Sequence, residues 1–317
     1  MIETGSFIRE VSSFGQGPNE YTGSIFDSYG FDEKNDIIFT GDSHYESCKG
    51  INLETNNVEL IVKKPLIENA NERIHTSAPW LIKDDTYISF CNNRTGKDKI
   101  KLIVYDKEGS IMKQYPNYLE FHKGESRTNQ VSPGIFYYYK GLTYFKEMFY
   151  NDTVFSVDEN NLAPHIIFKL GNKQPSYYHR MANDNTKGKY LINFVNESNS
   201  FVLFNFIYYT ETETMRGPMG SESIAKDRLT HTGYFDKKTK QVYISSSPDY
   251  QKSGYILTGL PVGFLPISIN KNKEMIAHID PEELIKYKEK IDPQYKHLLQ
   301  NIQEDDNPIV VIAKIKE

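Results

Sequence analysis

From Ser24 onward, short apolar runs alternate with clusters of Asn, Asp and Gly. Ser24–Asp32 is followed by a turn at Glu33-Lys34-Asn35, then by Asp36–Asp42, Ser47–Leu53 and Asn57–Lys63, the last two divided by Glu54-Thr55-Asn56. Runs of this length bounded by turn formers read as hairpin strands. Four of them in about 40 residues is the size of one propeller blade. The unit recurs as Ser77–Ile82, Thr86–Cys91, Ile100–Tyr105 and Ser110–Tyr115, and again as Gly134–Tyr139, Leu142–Met148, Thr153–Val157 and Ala163–Leu170. Three looser units follow, each an inner hairpin: Lys189–Val195 with Phe201–Tyr209, Leu229–Phe235 with Gln241–Ser246, and Phe264–Ile269 with Glu274–Ile279. The polar stretch Glu211–Lys226 reads as a long loop between strands. The pattern therefore predicts an all-β fold, a six-bladed β-propeller forming a single domain over residues 1–317.

One segment departs from the β rhythm. Asp280-Pro281-Glu282-Glu283 combines a capping acid, a proline at the first helical position and an early Glu, which together start a helix. Leu284, Ile285 and Lys288 continue it, and a second helix is expected from Asp292-Pro293 through Tyr295, Leu298, Leu299 and Ile302. This helical insert, 281–302, precedes Ile309–Ala313, an apolar β-branched run that reads as a buried strand. A propeller must close its ring, and Phe7–Val11 with Ile309–Ile315 are the expected suppliers of the closing strands.

Composition agrees with the pattern: 23 Tyr and 18 Phe against one Trp favour strands over helices. The net charge of −5 with scattered Lys and Arg argues against a nucleic-acid partner, which leaves a clustered basic footprint. No run reaches the ~18 apolar residues of a membrane span, so no transmembrane segment is expected. The start, Met1-Ile2-Glu3-Thr4-Gly5, lacks a basic and then apolar leader, so the protein is either cytoplasmic or begins after a removed leader. Cys48 and Cys91 permit one disulfide, but a free pair is the plainer reading.

Gly15-Gln16-Gly17-Pro18-Asn19-Glu20-Tyr21 resembles the GxGPGEY signature of a six-bladed β-propeller family of exported, often lipid-anchored proteins of Gram-negative gut bacteria. Tyr150–Val157 and Glu304–Ile312 look like later landmarks of the same family, in the same order, while Asn19 stands where the family usually has Gly. The resemblance implies the propeller fold and an exported protein in the periplasm or at the outer membrane or cell surface, with a lipid anchor carried by a removed leader. It implies no activity.

Chemical motifs are sparse. The Gly15–Tyr21 stretch is no dinucleotide fingerprint, since Glu20 occupies the third glycine position and no helix follows; a rigid turn explains its glycines and proline equally well. Ser-x-x-Lys at Ser110, Ser223 and Ser268 matches chance frequency and lacks companion motifs. The eight histidines stand singly, without zinc spacing. The acidic turns Asp32-Glu33, Asp84-Asp85 and Asp305-Asp306 lack the alternating ligands of a calcium loop. No metal and no cofactor is called for. Propellers gather loops from every blade around one funnel. The expected function is therefore a non-enzymatic ligand-binding or protein-interaction module, a monomer taking a small molecule, glycan or peptide. The rival is a hydrolase or lyase with acid and base residues in that funnel. Candidate ligand-binding residues, at or just before inner strands, are Gln16, Glu20, Tyr21, His75, Trp80, Arg127, Tyr137 and His179.

Overall fold

The computed structural model describes residues 17, 20, 29–40, 46–66, 76–122, 133–181, 186–209, 228–244, 255–256, 263–264, 266, 268–269, 274–299, 302–306 and 308–314. The fold is an all-β propeller with five blades among the described residues, not six. The first three follow the sequence pattern closely. Blade 1 pairs β1 (Tyr29–Asp32), β2 (Ile37–Thr40), β3 (Ser47–Asn52) and β4 (Val58–Lys63) in order. Blade 2 pairs β5 (Trp80–Lys83), β6 (Thr86–Phe90), β7 (Ile100–Asp106) and β8 (Ile111–Pro116). Blade 3 pairs β9 (Gly134–Tyr139), β10 (Leu142–Glu147), β11 (Thr153–Val157) and β12 (Leu162–Ile167).

The difference in blade count arises further on. Blade 4 comprises β13 (Tyr190–Glu197), β14 (Phe201–Tyr209), β15 (Arg228–Asp236) and β16 (Val242–Ile244), all in one sheet. The two hairpins expected to open separate blades are therefore halves of one blade. β14 and β15 run in unbroken register from Phe201↔Asp236 to Tyr209↔Arg228. The polar stretch between them connects strands within a blade and does not divide blades. A two-stranded ladder, β17 (Tyr255–Ile256) with β18 (Gly263–Phe264), follows. Blade 5 consists of β19 (Ser268–Ile269), β20 (Glu274–Ile279) and β21 (Ile309–Lys314).

The chain divides into two compact units, residues 1–169 with 176–185, and residues 170–175 with 186–317. In the first unit, blade 2 is apolar on both faces because it packs between its neighbours. Tyr87, Cys91, Ile103 and Tyr105 join Ile37, Phe39 and Val62 of blade 1. The alternate residues Ile88, Phe90, Leu102 and Val104 join Phe145 and Val157 of blade 3. Period-two alternation thus feeds two cores from one sheet. Gly30 has no alternative here, since a Cβ at that position would lie 1.5 Å from the Pro79 carbonyl oxygen. Cys48 and Cys91 are free and buried.

The acidic turns are backbone devices. Asp32 Oδ1 accepts the N–H groups of Lys34 and Asn35, both at 3.0 Å. Asp106 does the same for Glu108 and Ser110, Asp158 for Asn160 and Asn161, and Asp236 for Lys238 and Thr239. A carboxylate satisfying turn N–H groups is reason enough for an acid at the end of a strand.

The helical insert is smaller than expected. One α-helix, α1, spans Pro281–Lys286, and 3-10 turns follow at Lys288–Lys290 and Pro293–Leu299. The second expected helix is thus a 3-10 segment. Asp292 precedes a proline, which disfavours helical backbone at that residue, and the pieces left on either side are too short to propagate a helix alone. Leu284 and Ile291 are buried with Ile279, and Tyr287, Tyr295, Leu299, Ile302, Ile309 and Val311 pack against them. β21 is a half-buried strand and not the fully buried one expected. Val310 and Ile312 are 51% and 44% exposed, because β20 covers one edge of β21 and only alternate side chains face the core. Phe7–Val11 and Ile315 lie outside the described residues.

Candidate functional site

In a meander of antiparallel strands, the link from second to third strand and the link to the next blade emerge at the same end. In the first unit these links are 91–99 and 117–122 of blade 2, and 148–152 and 176–181 of blade 3. A buried polar cluster forms where they meet the strands.

Its centre is Glu147, the last residue of β10, 1% exposed. Glu147 Oε2 receives the Lys101 ammonium at 2.5 Å and Oε1 accepts the Tyr177 hydroxyl at 2.8 Å. Lys101 reaches it from the start of β7 and sits above the Phe90 and Phe145 rings. Burial raises the Glu147 carboxyl, but the Lys101 ion pair, the Lys101 and Tyr177 hydrogen bonds and the Arg180 charge outweigh it, holding the acid below its ordinary value. Arg180 lies over Phe121, its guanidinium carbon 3.5 Å from the ring centroid, and donates to the Asn93 carbonyl at 3.0 Å. Lys146, wholly buried, donates to the carbonyls of Glu147 at 2.5 Å and of Asn151. Burial pushes its ammonium down to about 7, against the pull of Glu147 and Asp152. Tyr177 is pushed above the normal tyrosine value by burial and by the Glu147 charge.

This cluster clamps the two linking segments. Phe121 donates its N–H to Gly96 at 2.9 Å and His122 donates to the Tyr178 carbonyl at 3.0 Å. Gly96 has φ +83°, and a Cβ there would lie 2.2 Å from the Phe121 oxygen, so close approach and backbone sign both demand glycine. Over 117–122 burial alternates: Asn117 and Phe121 point inward, Tyr118, Glu120 and His122 outward. Tyr118 is 85% and Tyr178 53% exposed. Tyr178 stacks beside His122, centroids 6.4 Å apart and planes 24° off parallel, and His179 meets Tyr178 edge-on at 5.0 Å and 90°. Glu120 pairs with Lys99. The result is an exposed row of rings and hydrogen-bonding groups on a foundation that cannot easily shift.

Of the described residues singled out from sequence, His179 alone stands in this row. Glu20 caps its own turn: its carboxylate accepts the Gly17 N–H at 2.6 Å, and the Lys49 ammonium bonds the Gly17 and Glu20 carbonyls, both at 2.8 Å. Trp80 is buried against Phe136 and Tyr138, and Tyr137 is buried against Tyr144. Gln16, Tyr21, His75 and Arg127 lie outside the described residues. Sequence reading missed Lys101, Lys146, Glu147, Tyr177 and Arg180. The available signal was a charge inside an apolar strand run, as in Ile100-Lys101-Leu102 and Phe145-Lys146-Glu147-Met148. Among the described residues no cluster of three or more His, Cys, Asp or Glu could hold a metal, and no helix is long and apolar enough to cross a membrane.

Fold and site together define an all-β propeller whose linking segments carry an exposed aromatic row over a buried ionic clamp. The chain belongs to the DUF4934 family, described as a domain of unknown function, whose model matches residues 2–314. It is similar in structure to a protein of Bacteroides fragilis NCTC 9343 named "Putative exported protein". The two share 18% identity and a TM-score of 0.66, over 99% of this chain and 83% of that one. No curated protein matches the chain.

Proposed function

We propose that the chain is a non-enzymatic, exported binding module of the periplasm or cell surface, taking its ligand on the row formed by 117–122 and 176–180. The observation that carries this reading is the ring array of His122, Tyr178 and His179, left exposed on segments clamped by Glu147 and Arg180. Exposed aromatic side chains on a rigid base suit recognition, because an apolar body and a polar tip are both offered without ordering cost. Catalysis suits the site less well. The groups with displaced protonation equilibria, Lys146 and Glu147, are sealed from solvent and spent on carbonyls, a hydroxyl and each other's neighbours. An exported location is supported by the name of the similar B. fragilis protein and by the sequence resemblance.

The test is a binding screen of small molecules, glycans and peptides against the wild type and a His122→Ala/Tyr178→Ala variant. Ligands of the wild type should be lost by the variant while its melting temperature is unchanged. A ligand held equally well by both proteins would place the binding surface elsewhere.

A further inference from the structure

Resting on that reading of the site, we infer that its ligand is an extended peptide with apolar side chains, added as a short strand along the open backbone edge of 118–120.

The first observation is which backbone groups are already spent. Burial alternates from Tyr115 in β8 through His122, the pattern of an extended chain. In such a chain the N–H and C=O of one residue point to one edge and those of the next to the other. One edge is full. Asn117 donates to the Lys99 carbonyl at 2.7 Å and Phe121 to the Gly96 carbonyl at 2.9 Å. Leu119, between them, gives its N–H to Asn117 Oδ1 at 3.1 Å, and its carbonyl accepts the side-chain amides of Asn93 and Asn117. The other edge is empty: among the described residues, the N–H and C=O groups of Tyr118 and Glu120 have no partner. Two donors and two acceptors thus stand two residues apart, at a strand spacing of about 7 Å, on a segment held from behind.

The second observation is what can match this edge. Alternating donors and acceptors are met in full only by another peptide backbone, which is the basis of strand addition, whereas a sugar meets such groups singly. The edge is also short. Pro116 has no N–H to offer before it, and the His122 N–H after it is taken by the Tyr178 carbonyl. Backbone pairing over so few residues holds a peptide weakly, so flanking side chains must contribute. Tyr118 and Tyr178 stand exposed there with apolar ring faces. Charge does not select the partner, because Lys97 and Lys99 on this surface are balanced by Asp98 and Glu120. Recognition therefore rests on backbone and rings, and the peptide side chains that suit it are apolar.

The experiment titrates the full chain with synthetic peptides of about ten residues that alternate Val, Ile or Tyr with Thr or Ser, read by fluorescence anisotropy of a terminal dye. At least one should bind, with affinity nearly constant between about 50 and 500 mM salt. Methylating every second backbone nitrogen of that peptide should weaken binding about tenfold or more in one phase and not in the other, since a strand turns alternate N–H groups to its neighbour. Glu120→Pro removes a donor with no partner in the fold, so the melting temperature should hold while affinity falls about tenfold or more. Glu120→Gln, which keeps the N–H, should lose much less, and Met112→Ala, an exposed residue of β8, should bind unchanged. Failure of every peptide, a steep loss of affinity with salt, indifference to methylation in both phases, or full binding by a folded Glu120→Pro would each overturn the inference. A wild type that dimerises, and that Glu120→Pro returns to monomer, would give the edge to a second copy of the chain and overturn it too. If His122→Ala/Tyr178→Ala loses a peptide that Glu120→Pro and both methylated forms retain, strand addition falls while the binding site stands. If peptide binding depends on none of these changes, both fall together.

Discussion

Glu147→Gln keeps the shape of a side chain on which one buried ammonium, one phenol and one amide converge, and removes only its charge. The amide oxygen can still accept the Tyr177 hydroxyl, but the Lys101 ammonium is left facing a neutral group. Lys101 and Glu147 side chains are 7% and 1% exposed, so water cannot replace the lost partner. Lys146 and Arg180, nearby cations, lose the same counter-charge. Breaking a buried pair by removing one partner costs about 3–5 kcal/mol, because an uncompensated charge stays behind. The value applies here undiscounted, as neither partner is solvent-screened. Urea unfolding at pH 7 should show a lowered midpoint with unchanged slope, and hydrogen exchange should speed up at 176–181, where Tyr177 loses its charged acceptor. The pair as a whole is worth much less than its halves. A Lys101→Met/Glu147→Leu double variant should therefore recover more than half of the loss. The sign with pH follows from the depressed Glu147 carboxyl. Its stabilisation is present above the unfolded carboxylate value and lost as pH falls through the lower folded value. A loss below about 1 kcal/mol for Glu147→Gln, or a double variant worse than the sum of the singles, would refute the reasoning.

Lys146 supplies a pH signature of opposite sense: its ammonium, at about 7 in the fold against 10.5 in the unfolded chain, costs stability below pH 7. That cost is relieved as pH rises from 7 toward 10.5, so the wild type should gain stability relative to Lys146→Met between pH 7 and 9.5 in parallel urea titrations. Gly96→Ala should destabilise by about 1–3 kcal/mol through its positive φ and the clash with Phe121. Amide exchange should then increase over 117–122, and protection unchanged there would count against the clamp. Ending the chain before Ile309 removes β21 from six register pairs with β20 and strips Ile309 and Val311 from the Ile279–Leu284–Ile291 core. The truncated protein should be insoluble or unfolded by circular dichroism, and a soluble product with an unchanged melting temperature would contradict this.

Much of the local structure is legible in the residues. Alternating apolar runs, Asp and Asn at strand ends and abundant Tyr and Phe specify strands and hairpins. These act over a few residues, and Asp106 or Asp158 organises its turn whatever lies beyond it. The same locality explains the errors. Nothing near Tyr209 or Arg228 announces that they pair, because their partnership spans a long connection, so one blade reads as two. The motif at Asp292-Pro293 starts a helix locally, yet the piece it leaves is too short to hold one. The site lies still further from view. Lys101 and Glu147 stand 46 residues apart and Asn93 and Arg180 stand 87 apart, so only the stacking of blades 2 and 3 brings them together. Where strands form is written in the chain, because that depends on near neighbours. Which charges meet and which rings stay exposed is settled only on folding, because burial is a property of packing between distant strands.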